Sequence, residues 1–175
     1  MPTIPIIKSK EFILRPFRRG DKKSLAENIN NKNIYRNTLS IPYPYTLKDA
    51  REWVMKSLKE ARKKKPARIV FVIEINGGVA GSVGLSKIEG HKAEIGYWLA
   101  EKYWGRGIMT KAVKLVTKFG FDKLKLKRIY AHVFSFNKAS KRVLEKAGYK
   151  FEGILRKHVK KDGKFLDAYL FAKVK

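Results

Sequence analysis

Ala93-Glu-Ile-Gly-Tyr-Trp-Leu-Ala-Glu-Lys-Tyr-Trp-Gly-Arg-Gly-Ile-Met-Thr110 reads as a short strand, a tight glycine turn and the first turn of a helix that continues to about Phe119. Gly105 and Gly107 lack a Cβ, so the backbone there can turn sharply and approach a ligand closely. Beyond them Ile108, Ala112, Leu115, Val116 and Phe119 fall at helical spacing. A glycine turn feeding a helix N-terminus aims unpaired backbone N–H groups outward, and the helix dipole adds partial positive charge. The segment is therefore a candidate phosphate cradle. It is not a Walker-type loop, because no Lys-Ser/Thr pair follows, and Thr110 stands where a G-x-G-x-x-G motif needs its third glycine. Taken alone, Gly-x-Gly before a helix is equally a structural turn.

Reading outward, some thirty residues on come Arg128-Ile-Tyr-Ala-His-Val-Phe and then Asn137-x-x-Ser140-x-x-Val-Leu-Glu-Lys-x-Gly-Tyr149. With Glu94-Ile-Gly-Tyr-Trp-Leu, Tyr103-Trp-Gly-Arg-Gly, Glu152-Gly-x-Leu-Arg156 and Asp162-Gly-Lys-x-x-Asp167, they form an ordered set spanning roughly Phe12 to the C-terminus. This set resembles the GNAT superfamily of acetyl-CoA-dependent N-acetyltransferases, and within it the RimJ/RimL-type branch that acetylates ribosomal-protein N-termini. The resemblance rests on the order of the pieces, since no one piece is decisive.

Composition bounds the reading. A chain of 175 residues suits one domain, here 1–175, with a real core. An apolar content of 44% is ordinary for a globular protein. No run of eighteen apolar residues exists, which argues against a membrane span, and no helix is basic on one face and strongly apolar on the other. The opening Met-Pro-Thr-Ile-Pro-Ile-Ile-Lys is too short and too proline-broken for a secretory signal, so the cytoplasm is the expected location. The absence of cysteine excludes disulfides and thiol nucleophiles, and three histidines without paired spacing exclude a zinc site. Forty-one Lys plus Arg against 15 Asp plus Glu give a net charge of +26. Such a surface attracts polyanions, with RNA, ribosomes and CoA as candidates. A lysine-rich thermophilic proteome would explain the charge more blandly, but it would raise Glu with Lys, and Glu is not raised here.

In chain order, Phe12–Pro16 predicts a first strand, and Asp21 predicts the cap of a helix from Lys22 with Leu25, Ala26 and Ile29 inward. Asn28–Pro44 lacks periodicity and predicts a long loop. Its Tyr35, Tyr43 and the neighbouring Tyr45 either line the acceptor groove or anchor the loop. Thr46 with Asp49 predicts a capping box, opening a helix with Leu47, Ala50, Val54, Leu58 and Ala61 inward. The basic Arg62–Lys65 run suits a helix C-terminus, with an RNA contact as the alternative. Asn76-Gly77-Gly78 predicts a hairpin between Arg68–Ile75 and Val79–Leu85. Strand Ala93–Leu99, the cradle helix and strand Arg128–Phe134 predict a β-α-β unit with parallel pairing. A helix over Asn137–Ala147, with Ala139, Val143, Leu144 and Ala147 inward, is capped by Gly148. Strands Tyr149–Leu155 and Phe165–Lys173 join across Lys161–Gly163. The expected fold is α/β, a mixed and mostly antiparallel sheet with a central parallel β-α-β cofactor cradle.

What the resemblance implies for chemistry is transfer of acetyl from acetyl-CoA to an amine, without metal. Gly105, Arg106, Gly107, Ile108, Met109 and Thr110 would bind the cofactor's pyrophosphate, and backbone around Tyr97, Trp98 and Leu99 would stabilise the oxyanion. Asn137 would hold the pantetheine arm or simply cap its helix. Ser140 would supply the acid for the departing thiolate; many relatives use a tyrosine further along, where Leu144 stands here. Glu94 would act as base, with His132, His158, Asp167 or ordered water as alternatives. Met109 departs from the common Ala and is harmless only if its side chain points away from the diphosphate. The expected acceptor is a protein N-terminus, such as that of a ribosomal protein, or else a small amine or amino-acid derivative. A basic RNA- or ribosome-associated CoA-binding module without turnover is the reading from outside enzymes, and the oligomeric state is left open between monomer and homodimer.

Overall fold

Two tight turns fix two hairpins of the sheet, one in its middle and one at its edge. Asn76 (φ 50°) and Gly77 (φ 77°) join β3 (Arg68–Ile75) to β4 (Gly78–Glu89), and Asp162 (φ 50°) and Gly163 (φ 74°) join β7 (Lys150–Lys161) to β8 (Lys164–Val174). Two successive positive-φ residues are the turn geometry whose twist matches that of paired strands. The computed structural model describes residues 4–175, so the first three residues of the N-terminal stretch read above as too short for a signal lie outside the described residues.

With β1 (Ile7–Lys8), β2 (Ile13–Arg15), β5 (Lys92–Leu99) and β6 (Arg128–Phe134), these strands form one eight-stranded sheet in the order β1-β2-β3-β4-β5-β6-β8-β7. All neighbours are antiparallel except β5 and β6, which are parallel and joined across α4 (Ile108–Asp122). That parallel contact is short: Lys92 pairs with Arg128, Ala93 with Ile129 and Glu94 with Tyr130. Beyond it, β5 stays registered with β4 as far as Gly81–Leu99, while β6 stays with β8 as far as Phe134–Ala168. The two strands therefore part, and the sheet opens at its middle.

Each face carries its own apolar layer. On one, Ala112, Val113, Val116 and Phe119 of α4, with Leu144 of α5 (Lys138–Lys146), pack on Phe71, Leu85, Ile95, Ile129 and Phe171. On the other, α1 (Lys22–Ile29), α2 (Lys32–Asn37) and α3 (Leu47–Ala61) bring Leu25, Ile29, Ile34, Ala50 and Val54 onto Val72, Val79 and Trp98. Each fully buried side chain of this size contributes roughly 1.5–3 kcal/mol. Gly120 lets α4 lie close, because a Cβ there would stand 2.8 Å from Ile129 Cδ1 and 3.0 Å from Leu85 Cδ1.

Several expectations are corrected. Asp21 does not cap α1. Its carboxylate is buried and accepts from both terminal nitrogens of Arg15 (2.9 and 2.8 Å) and from the Arg18 N–H (2.7 Å), while Arg15 Nε also pairs with Glu74. A charge that deep must be matched locally, and this need outweighs capping. The passage from Asn28 contains α2, nucleated by the Asn31 side chain accepting from the Asn33 and Ile34 N–H groups. Tyr45 is a core anchor, and Tyr35 instead bonds Asp162 under the Lys161 ammonium. Leu47 is exposed, since it occupies the first helical position, ahead of the buried stripe. Ala139 faces out of α5 rather than inward. The Thr46–Asp49 capping box, the Gly148 cap (φ 86°) and the β-α-β unit stand as expected.

Candidate functional site

The parting of β5 from β6 leaves a cavity of about 1030 Å³ running from the glycine turn to α2 and the loop after it. At the glycine-turn end, Gly105 (φ 74°) and Gly107 (φ 75°) adopt the left-handed conformation, and Gly107 immediately precedes α4. The Lys111 N–H bonds Gly107 O (3.1 Å), so the amides of Ile108, Met109 and Thr110 come before the first helical bond and are available to an anion. Trp104 Nε1 donates to Leu99 O (2.7 Å) and ties the turn to the end of β5. The Met109 side chain is buried in the core beneath α4, which removes the conflict its bulk raised. Arg106 is the one cradle residue that does not line the cavity; its guanidinium lies 5.6 Å from the Tyr103 ring centre.

Across the gap, α5 presents Asn137 and Ser140. The Asn137 carbonyl oxygen accepts from the Ser140 N–H (3.1 Å), which caps the helix and leaves the amide nitrogen free to donate. Ser140 Oγ lies 2.7 Å from the Tyr97 hydroxyl. Burial pushes the Tyr97 phenol up, so it stays protonated and can donate to the serine oxygen. Sequence reasoning assigned Tyr97 only through its backbone. The 43-residue separation hid its side-chain role, and the alternation along β5 was the available signal. Leu144 is fully buried and does not reach the cavity.

Glu94 and His132, which the sequence offered as alternatives, form one unit: Glu94 Oε1 is 2.7 Å from His132 Nδ1, and Glu94 Oε2 is 2.6 Å from Lys87 Nζ. Burial acts to raise the Glu94 carboxyl, but the hydrogen bonds from His132 and Lys87 outweigh it and hold the group below its ordinary value. An ionised carboxylate only accepts, so the shared hydrogen bond is donated by Nδ1, and in the matching neutral tautomer Nε2 is the nitrogen left to accept a proton. The His158 ring lies 5.0 Å from that of His132, but His158 is exposed and outside the cavity wall. Asp167 also lies outside it, its carboxylate accepting from the Lys157 N–H (2.8 Å) where β7 is bulged. Lys87 was missed; aligning the β4–β5 hairpin would have placed it near Glu94. No group of ligands suited to a metal occurs among the described residues, and no helix among them is long and apolar enough to cross a membrane.

Comparison with known proteins agrees with this geometry. Residues 11–150 match the Acetyltransferase (GNAT) domain family. The chain is 34% identical over 173 residues to the probable N-acetyltransferase YjcK of Bacillus subtilis (strain 168), covering 95% of this chain and 96% of that one. It is 27% identical over 157 residues to the spermidine N(1)-acetyltransferase of Escherichia coli (strain K12), covering 89% and 81%. Its fold superimposes with a TM-score of 0.88, at 22% identity and covering 97% and 98%, on RimL, the ribosomal L7/L12 alpha-N-protein acetyltransferase solved with coenzyme A. An ordered set of motifs, a sheet that opens beside a glycine turn and a family match over most of its length make this chain a member of the GNAT acetyltransferases, with acetyl-CoA as its acyl donor.

Proposed function

We propose that the chain transfers acetyl from acetyl-CoA to the N-terminal α-amine of a protein, a ribosomal protein being the favoured acceptor. The observation that carries this reading is the charge of the cavity. Glu94 is the one carboxylate lining it among the described residues, and it is already engaged by Lys87 and His132, whereas Arg68, Lys87, Lys138, Arg142 and Lys146 line it as cations. A polyamine needs free carboxylates and meets repulsion here. An amine carried on a polyanionic particle is instead drawn in by the chain's charge of +26, a reading that goes with a cytoplasmic reaction.

In this mechanism the amides of Ile108, Met109 and Thr110 hold the pyrophosphate, and the Asn137 amide bonds the pantetheine arm. His132, oriented by Glu94, takes a proton from the incoming ammonium directly or through water. The freed amine attacks the thioester carbonyl while backbone N–H groups of the Tyr97–Leu99 segment stabilise the oxyanion. The C–N bond forms as the oxyanion develops. When the oxyanion collapses the C–S bond breaks, Ser140, supported by the Tyr97 hydroxyl, protonates the leaving sulfur, and the extra proton on the new amide nitrogen passes to the serine oxygen.

Incubation with acetyl-CoA and a panel of ribosomal N-terminal peptides, acidic and basic peptides, polyamines and amino acids, read by mass spectrometry, tests the proposal. Acetyl gain on peptide α-amines is expected. The spermidine-acetylating relative favours a second reading, a small amine or amino-acid derivative as acceptor, and acetyl gain confined to such amines would replace the first. Acetyl-CoA binding without transfer to anything would leave a ribosome- or RNA-associated CoA-binding module, which ribosome co-sedimentation would then address.

A further inference from the structure

Some arginines of this fold are held by carboxylates. Arg15 is fully buried and saturated by Asp21 and Glu74, and Arg128 is held by both oxygens of Glu152. Arg68 is different. It lines the cavity, half-buried, with its guanidinium 5.1 Å from the Trp53 ring centre, and none of the ion pairs among the described residues includes it. Stacking on an aromatic face fixes the plane of the fork. Glu60 is near enough to feel the Arg68 charge, but its carboxylate is taken by Lys63 and the Ala67 N–H and accepts no bond from Arg68, so the edge donors are left for a planar anion.

Its placement relative to the reacting centre follows from register. Arg68 opposes Ser86 on β4, and Ser86 opposes Glu94 on β5, so the three form a row across one face of the sheet. Two strand spacings separate the ends of that row, about 9.5 Å between backbones. The adjacent row is Val70, Gly84 and Gly96, and a Cβ built on Gly96 would meet nothing within 4 Å. Bare backbone is thus open at Gly96, on the Glu94 side, whereas a Cβ on Gly84 would stand 2.7 Å from Ile69 O and 3.2 Å from Val70 Cγ2; an extended chain can lie beside Glu94 and reach toward Arg68.

We infer that Arg68, braced by Trp53, is a specificity residue that binds an anionic group carried by the acceptor a short distance beyond its reacting amine. In an extended peptide the α-amine and a carboxylate on the second residue lie about 6–9 Å apart, which suits the row. A carboxylate and a phosphate share this chemistry. The acceptor class is then a peptide whose first residues are acidic or phosphorylated. This rests on the reading of the cavity as an amine-acceptor groove.

The test compares matched peptides that begin with alanine and carry glutamate, phosphoserine, glutamine or lysine at the second or third position, with wild type and with R68Q, R68K and R68E. Wild type is expected to favour the anionic peptides over the glutamine peptide by about tenfold in kcat/KM, the glutamate and phosphoserine arms separating the two anions. R68Q erases that ratio through KM, with kcat on the glutamine peptide within about twofold of wild type; R68K restores part of it, and R68E turns the preference toward the lysine peptide. An R68Q enzyme that loses activity equally on every peptide, with a lowered Tm, makes Arg68 a prop for Trp53 and overturns the inference. So does a wild type with no anion preference, a result that needs no variant to fold. If peptides are not acceptors and only small amines are, the protein-acceptor reading falls by itself. Arg68 is then decided on the same ratio, aspartate against its uncharged analogues.

Discussion

The two ends of the cavity are built by different means. The glycine-turn end comes from contiguous chain: β5, Gly105, Gly107 and the first turn of α4 supply it largely as backbone. The opposite end is assembled from side chains far apart in sequence, with Arg68 on β3, Lys87 on β4, Glu94 on β5 and His132 on β6. A backbone site tolerates almost any side chain so long as its φ values are reachable. A side-chain site can be re-specified one residue at a time without disturbing the fold. One end is consequently suited to a fixed ligand and the other to an acceptor that varies among relatives.

The strongest way to break this contrast is Gly107→Glu. The position has room for a side chain but sits at φ 75°, where a non-glycine residue costs roughly 1–2 kcal/mol, and the new carboxylate would oppose the phosphates. Activity should fall by 100-fold or more, on the order expected when a phosphate cradle acquires a like charge, through KM for acetyl-CoA. Isothermal titration with CoA checks it, and unaltered affinity would show that the cradle is only a turn.

Next in size, Glu94→Gln and His132→Ala should each lower kcat by about 10²–10³, and the double variant should lose little more, because the two residues act as one unit. A multiplicative double-variant effect would separate them again. Ser140→Ala should cost about 10–100-fold in kcat and Tyr97→Phe less, with acetyl-CoA affinity nearly unchanged in both. If Ser140→Ala raises only KM, the serine positions the donor and water protonates the thiolate.

The smallest expected effect is on stability. Glu94 titrates below its unfolded value of 4.5, so the stability it contributes is present above pH 4.5 and is lost as pH falls through the folded value. Glu94→Gln should flatten that part of the acid limb in a series of thermal melts, leaving the curve above pH 6 parallel to wild type.

What could be read from the residues follows the same division. Asn76-Gly77, Gly105-x-Gly107, Thr46–Asp49 and Gly148 announce turns and caps because their chemistry is local, and the elements between them follow. Arg15 with Asp21 and Glu74, Tyr97 with Ser140, and the row Arg68–Ser86–Glu94 are set by register and by packing between elements. No periodicity reports such pairings. Glu94 and His132 looked like rivals for one role because a single sequence shows residue types and not their separation. Arg106 reads as a ligand residue because it stands between the two glycines; its guanidinium lies 5.6 Å from the ring centre of the cavity-lining Tyr103, a contact no spacing announces.

The short contact between β5 and β6 has a mechanical meaning. Five strands on one side and three on the other are joined along a seam of three residue pairs, Lys92–Arg128 to Glu94–Tyr130, with α4 bridging them. Beyond the seam the facing edges of β5 and β6 look into the cavity instead of at each other. The molecule is in this sense two plates hinged at one end. A ligand that fills the wedge touches both plates, so its binding energy is also resistance to their separation, and the protein should be stiffest when its substrate is in place.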